Sequence, residues 1–548
     1  MAINAAPSAT GLSKYRADKR EGGLMDEQKL TWQFVEKWAN QKPEAEAIVF
    51  EKQRVTYAQF RDAVDDTARA FLDAGVKRGD RVAMIAMARP EFLFTFMAAN
   101  KVGAMWLGVS PKFTLQEFRY IIDDCQPSVL IALREYLGRD LAPEIEALAR
   151  EFPSIKKILV IGEAPEGFEN FNDFVSTPRP HQEAALQARI AELSPDDNAL
   201  LLYTSGSSGK PKGVVHTHRS ILSYVTVQRE HMMMTEEIRC LLHFPINHVA
   251  AATEIGYACV FAGGACVMTD RFDAAQTLKI VEEERITLFG QVPAMFLLEF
   301  GLPAFPETDF SSVTNFMWGG STAPKLVLDV VAGLAKRNGA RMMTGYGATE
   351  MCGFVTYSAP EDTLDTLFTT VGKTAPPFEV KIVDADRLEV ARGEIGEIAV
   401  RGETIMKEYW NKPDQTEAVL DADGWYYSGD LAKMDERGYI TISGRKSEMY
   451  KTGGENVFPR EVEDVIEKFP GILMAAVIGV RHEMFDEVGY AFVMPHPGQK
   501  PAVDALHAHC RENLANFKVP KTIEVRPMLP LLPNGKVNKM ALRSELSD

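Results

Sequence analysis

A chain of 548 residues is too long for one hydrophobic core, so at least two domains are expected. Hydrophobic residues make up 46% and charged residues 25%, a composition that argues against a disordered or membrane-embedded protein. The formal net charge of -16 argues against a nucleic-acid binder, which needs a basic footprint, but leaves room for a local basic pocket. Six cysteines without a CxxC pair, and no signal pattern in the small, polar residues 1–26, predict free buried thiols, a flexible leader and a cytoplasmic chain.

In chain order, Thr56 and Gln59 form a capping box for a helix carrying Phe60, Val64, Ala68 and Phe71 on one face, with Gly75 able to end it. Val82–Ala86 reads as a strand and Pro90–Lys101 as a helix that opens on proline. Further buried strands are expected at Ser128–Ala132 and Lys157–Ile161. This alternation predicts an α/β fold with parallel-type sheets. The apolar stretch Val249–Met268 is broken by Glu254 and several glycines, and is not read as a membrane span.

The most informative stretch is 203–213. An apolar strand, Ala199–Leu202, runs into Thr204, Ser205, Gly206, Ser207, Ser208, Gly209, Lys210, Pro211 and Lys212. Glycines admit close backbone approach, hydroxyls donate hydrogen bonds, and two lysines add charge, a combination suited to phosphate oxygens. It is not a Walker A loop, because Gly206 and Gly209 are too close and proline follows Lys210. Glycines follow apolar runs again at Met317–Ser321 and at Arg341–Gly347, and three such junctions suggest one cleft at the carboxyl ends of strands. Beyond about residue 375, short strands at Lys381–Val383, Gly396–Val400 and Tyr439–Ile442 predict a β-rich subdomain. A boundary at 444/445 then separates an N-terminal domain, 27–444, from a small mobile α+β domain, 445–548.

Five segments, TSGSSGKPKG (204–213), YGATE (346–350), YYSGD (426–430), GRKSEMYKTGGEN (444–456) and LPNGKVNK (532–539), occur in this order. Together they resemble the adenylate-forming superfamily, and a free-standing chain with GGEN after the hinge looks most like its AMP-forming acyl- and aryl-CoA ligases. The resemblance implies a carboxylic acid, ATP, Mg²⁺ and coenzyme A as reactants, with no nucleic acid or membrane partner and a monomer or homodimer. It implies that Thr204 to Lys212 cradle phosphates, that Glu350 and Thr204 hold Mg²⁺, and that Thr349 bonds the α-phosphate. Gly320, Ser321, Thr322, Tyr346 and Gly347 are expected around the adenine, and Asp430 and Arg445 at the ribose. Lys536 matches the lysine that bridges the acid and the α-phosphate. His248, Trp318 and Gly319 are expected to line the acid pocket, and Gly453 and Gly454 the pantetheine channel. A bulky Trp318 wall favours an aromatic, alicyclic or short-to-medium-chain acid.

The hinge position carries Ser447 where the superfamily usually has Asp or Lys, which predicts a hinge without its own charge. Each motif has a plainer reading: Asp430 as a turn residue, Lys536 as a solvated lysine, Glu350 as a helix-start charge. Their common order favours the catalytic reading. Rivals are a protein that loads a carrier-protein thiol, a non-catalytic nucleotide sensor of the same fold, and an oxidative luciferase-like enzyme. Acylation of Lys536, by removing its charge, would switch adenylation off.

Overall fold

The structure is a computed structural model that describes residues 28–204, 210–496, 498–530 and 537–546. The expected leader therefore lies outside the described residues, as do Ser205, Gly206, Ser207, Ser208, Gly209 and Lys536.

Two large sheets dominate the N-terminal part, one of nine strands and one of eight. The eight-stranded sheet contains the parallel strands Arg81–Ile85, Met105–Val109, Val129–Leu133, Lys157–Ile161 and Asn198–Thr204. The nine-stranded sheet carries Leu288–Gln291, Asn315–Trp318 and Arg341–Ala348 side by side in parallel. Pro90–Lys101 packs against strands of both sheets and is buried around almost its whole circumference, which is why it shows no polar face. His218–His231 lies between the same two sheets. The helices Ala274–Glu283, Pro293–Phe300 and Lys325–Asn338 cover the outer face of the nine-stranded sheet and bury their own apolar cluster with Phe289, Phe316 and Trp318.

Most predicted elements lie within a few residues of their expected positions, among them the capping box at Thr56 and Gln59 and the helix Pro90–Lys101. One arrangement is new and one expectation changes. The strand before the phosphate loop is followed by a further strand, and the helix His218–His231 comes after it. The chain turns back as Lys212–Thr217, antiparallel, with Thr204 opposite Lys212, which makes these two strands a hairpin. The predicted loop at 345–348 is strand, paired antiparallel to Gly353–Tyr357.

Glycine makes this second hairpin possible. A Cβ on Gly345 would lie 2.3 Å from the Thr356 carbonyl oxygen, and one on Gly347 would lie 1.9 Å from that of Gly353. Both obstacles are backbone, so Gly347→Ala is expected to open the hairpin and lower the melting temperature by at least about 2 °C. A thermal scan with an unshifted midpoint would contradict this reading.

A four-stranded antiparallel sheet follows, built from Glu379–Val383, Gly396–Arg401, Tyr426–Met434 and Ile440–Arg445. From Tyr450 onward a separate five-stranded sheet packs helices Pro459–Glu467 and Val503–Asn513 around its own core of Tyr450, Val462, Ile466, Val477 and Leu506. No helix of the described residues is long and apolar enough to cross a membrane. All six cysteines are buried, with Cys240 directly beside Cys266 on neighbouring strands.

Candidate active site

The Arg341–Ala348 strand, the turn that follows it and the four-stranded sheet converge on one place. Asp430 is buried opposite Arg445 in the adjacent strand. The Tyr346 hydroxyl donates to Asp430 Oδ2 at 2.7 Å, and Arg445 Nε lies 2.9 Å from Oδ1. Burial first, and the Asp430 carboxylate second, push the Tyr346 phenol well above its ordinary pKa, so it remains a donor. Each carboxylate oxygen still has a lone pair for a further donor such as a ribose hydroxyl.

Four residues beyond Tyr346, Glu350 Oε1 accepts from the Tyr409 hydroxyl at 2.8 Å. Lys212 Nζ stands 4.7 Å from the centroid of the same phenol ring. Tyr409 thus holds the far end of the phosphate hairpin beside the glutamate. It is placed by the short strand Glu408–Tyr409, paired with Val214 and Val215. Buried Tyr426 neighbours Glu350, Tyr409, Tyr346 and Asp430, and so joins the two halves. Thr349 is fixed through its backbone, since His216 Nε2 bonds its carbonyl oxygen at 2.7 Å. Burial lowers the His216 pKa to about 4, so the ring is neutral at pH 7 and donates this hydrogen bond from Nε2.

Gly320 has a positive φ of 81° and opens an exposed loop through Ser321 and Thr322. Gly319 lies against Phe354, whose ring would be 2.5 Å from a Cβ at that position. Half-buried His248 accepts the Ala250 N–H on Nδ1 at 3.1 Å and so starts the π-helix Ala250–Tyr257. Gly453 and Gly454 both have positive φ. Gly453 borders a cavity of about 240 Å³ with Thr452, Phe485, Phe517, Val519 and Lys521, and Lys521 Nζ is 5.3 Å from the Phe485 ring centroid.

Trp318 requires a correction. Its neighbour Met317 belongs to the inner core, whereas the Trp318 indole is buried in the outer cluster with Phe289, Phe316 and Val327. Strand alternation explains this, because consecutive side chains point to opposite faces. The indole therefore packs under the outer helices rather than facing the His248 side. The charge-free hinge is also modified. Ser447 is exposed, but Lys446 pairs with Glu397 at 3.1 Å and Glu448 with Lys539 at 2.8 Å, so charges anchor both its flanks.

Tyr409, Tyr426 and His216 are the functional neighbours that sequence reading missed. The Tyr409-Trp410 doublet was the available signal, since Trp410 packs against Gly213 of the phosphate hairpin. Among the described residues no group of three or more His, Cys, Asp or Glu is placed to hold a metal. A cation here would depend on Glu350 together with phosphate oxygens, a donor set that suits Mg²⁺.

Comparison with known proteins agrees with this geometry. Residues 35–410 match the family model described as AMP-binding enzyme, and residues 461–536 match the AMP-binding enzyme C-terminal domain. A putative acyl-CoA synthetase, YngI of Bacillus subtilis (strain 168), is 31% identical over 93% of this chain and 96% of its own. The 3-[(3aS,4S,7aS)-7a-methyl-1,5-dioxo-octahydro-1H-inden-4-yl]propanoyl:CoA ligase of Rhodococcus jostii (strain RHA1) is 32% identical over 90% of this chain and 94% of its own. The crystal structure of the anthranilate CoA ligase AuaEII with anthranoyl-AMP superposes with a TM-score of 0.84 at 25% identity, covering 94% of this chain and 97% of that one.

Proposed function

We propose, for a chain that belongs to the AMP-binding enzyme family and is an AMP-forming acyl-CoA ligase, the following division of labour. Thr204, Lys210 and Lys212, with the loop 205–209, hold the β- and γ-phosphates of ATP. Asp430 and Arg445 take the ribose hydroxyls, and Tyr346, Gly347 and the Gly320–Thr322 loop surround the adenine. The observation that carries this reading is the continuity from Lys212 through Tyr409 and Glu350 to Tyr346, Asp430 and Arg445.

A carboxylate oxygen of the acid attacks the α-phosphorus, forming an O–P bond as the bond to pyrophosphate breaks. The CoA sulfur then attacks the acyl carbon, AMP leaves with the old C–O bond electrons, and the thiol proton passes to solvent. His216, by holding the Thr349 carbonyl, orients the Thr349 side chain toward the α-phosphate. Glu350 holds Mg²⁺, which when bound neutralises phosphate charge. Lys536 supplies charge between the acid and the α-phosphate. The domain 445–548 moves about Ser447 between the two half-reactions, and the Lys446–Glu397 and Glu448–Lys539 pairs confine that motion to the hinge residue itself.

CoA enters beside Gly453. Phe485 and Phe517 offer ring faces to an adenine, and Lys521 a charge to a phosphate. Lys521→Ala and Phe485→Ala are each expected to raise the KM for CoA about three- to tenfold while sparing acid-dependent ATP–pyrophosphate exchange. A loss of exchange equal to the loss of thioester formation would remove this cavity from the CoA path.

The acid is compact, aryl or alicyclic. Phe354 fills the space beside Gly319, and the Rhodococcus relative and AuaEII are named for acids of this kind. The deciding experiment measures pyrophosphate release with ATP and Mg²⁺ over aryl, alicyclic and aliphatic acids, with and without CoA. Turnover requiring acid and CoA with a thioester product supports the reading. A single stoichiometric burst that CoA does not relieve points to a carrier-protein acceptor, and silence across the series favours a nucleotide sensor.

A further inference from the structure

No residue of the helix Leu115–Cys125 enters the chemistry above, yet one face of this helix grips both strands of the phosphate hairpin. Tyr120 and Asp124 are four residues apart and so share that face. The Tyr120 hydroxyl donates to the Pro211 carbonyl oxygen at 2.8 Å, just before the strand Lys212–Thr217. Asp124 Oδ2 accepts from the Tyr203 hydroxyl at 2.7 Å, in the strand Asn198–Thr204. Asp124 also binds the segment 410–412. Its Oδ1 accepts from Lys412 Nζ at 2.9 Å, and its carbonyl oxygen accepts from Trp410 Nε1 and Asn411 Nδ2, each at 3.1 Å. The Trp410 backbone N–H donates in turn to the Gly213 carbonyl at 2.7 Å. Helix, hairpin and segment 410–412 thus close a ring of hydrogen bonds around Gly213, where a Cβ would lie 3.2 Å from both the Trp410 side chain and the Tyr203 ring.

This ring fixes the backbone that carries the lysines. A residue before proline is biased toward extended conformations, and proline itself has a fixed φ, so Lys210 and Pro211 have few backbone states to begin with. The bond from Tyr120 selects among them by holding the Pro211 carbonyl. The ammonium groups are placed in a similar way. Lys210 Nζ stands 6.0 Å from the centroid of the Tyr120 ring, and Lys212 Nζ 4.7 Å from that of Tyr409, so each lysine lies by a phenol from a different element. The Asp124 carboxylate on the same helix face is already paired with Lys412. Exposed Lys210 pairs with no carboxylate of the described residues, which keeps its charge available to an anion.

We infer that Tyr120 is a positioning residue for the β- and γ-phosphates of ATP: through the Pro211 carbonyl and the face of its ring it holds Lys210 where those phosphates bind. Asp124 anchors the helix to the hairpin, and so fixes the distance over which Tyr120 reaches. This inference rests on the phosphate reading of the hairpin and names a residue that sets its geometry. Tyr120 acts through Lys210 and does not touch the nucleotide. Its effect is therefore confined to the part of ATP that Lys210 meets, and a nucleotide without β- and γ-phosphates is indifferent to it. A tyrosine that served packing alone would change ATP and AMP binding alike, because both nucleotides share the ribose and adenine contacts at Asp430, Arg445 and Tyr346.

The test titrates the full chain with ATP plus Mg²⁺, and separately with AMP. Tyr120→Phe keeps the ring and loses the hydrogen bond to Pro211. It is expected to weaken ATP about three- to tenfold, the worth of one hydrogen bond, and to leave AMP within about twofold of wild type. Tyr120→Leu also removes the ring beside Lys210 and should weaken ATP further, again sparing AMP. Lys210→Ala should weaken ATP about tenfold or more. Adding Tyr120→Phe to Lys210→Ala should then cost less than about twofold, because the group that Tyr120 positions is gone. Tyr120→Phe is near-isosteric, so it keeps the test decisive if Tyr120→Leu fails to fold. Equal losses for ATP and AMP in Tyr120→Phe, or no loss for either, overturn the inference. So does full additivity of Tyr120→Phe with Lys210→Ala. An ATP affinity unchanged in Lys210→Ala instead overturns the phosphate reading, and this inference falls with it.

Discussion

Replacing Lys536 with alanine is expected to cut acid-dependent ATP–pyrophosphate exchange by about 10²- to 10³-fold, the usual cost of removing one group aimed at developing transition-state charge. CoA attack on supplied acyl-AMP should stay within about threefold of wild type, because the phosphoryl transfer that Lys536 serves is already complete. The surroundings make the substitution informative. Lys539, three residues on, lies 2.8 Å from Glu448 and 2.8 Å from Glu463, so it is committed to its own ion pairs and cannot substitute. Asn538 N bonds the Pro530 carbonyl at 2.8 Å, which ties together the described residues on either side of 531–536. Quench-flow measurement of the two half-reactions separates the outcomes. Equal losses in both would sink the two-orientation account of the C-terminal domain.

The second large effect is expected at Asp430. Asp430→Ala removes the acceptor of the Tyr346 hydroxyl and the partner of Arg445 together. The Tyr346 phenol is buried, so losing its acceptor costs about 1–3 kcal/mol of stability even before nucleotide binds. The KM for ATP should rise about 30- to 100-fold, since two ribose hydroxyls lose a charged acceptor and Tyr346 loses its anchor. Asp430→Asn keeps an acceptor for Tyr346 but not the charge facing Arg445, and should recover most of the stability and only part of the affinity. A nucleotide titration with an unchanged affinity in both variants would remove Asp430 from the ribose site.

The two predictions differ in how much of their basis was legible in the chain itself. Lys536 rests on motif order alone, because it lies outside the described residues. Asp430 was singled out by the YYSGD segment and the resemblance set Arg445 at the same ribose, but nothing in the sequence paired the Tyr346 hydroxyl with it. That meeting depends on a hairpin from the nine-stranded sheet touching a strand of the four-stranded one, a contact between residues 84 apart. Glu350 shows the same division: its motif was readable, whereas Tyr409, which holds it, comes from 59 residues further on.

What the sequence determined by itself was local or ordered: helix starts at Thr56 and Pro90, the alternation that makes an α/β fold, the phosphate-loop chemistry and the succession of motifs. These depend on neighbours within a few residues, where propensity, capping and hydrophobic period operate. What only the tertiary structure decided was facing and contact. It turned Trp318 outward, because a strand shows one face to each layer and the sequence does not say which layer holds the acid. It made Gly345 and Gly347 part of a strand, because the facing carbonyls of Thr356 and Gly353 leave no room for a Cβ. It also buried Glu254, which the sequence showed only as a charge interrupting an apolar run. Burial sets the protonation of that carboxyl, and burial is a property of the packed layers, not of the residue.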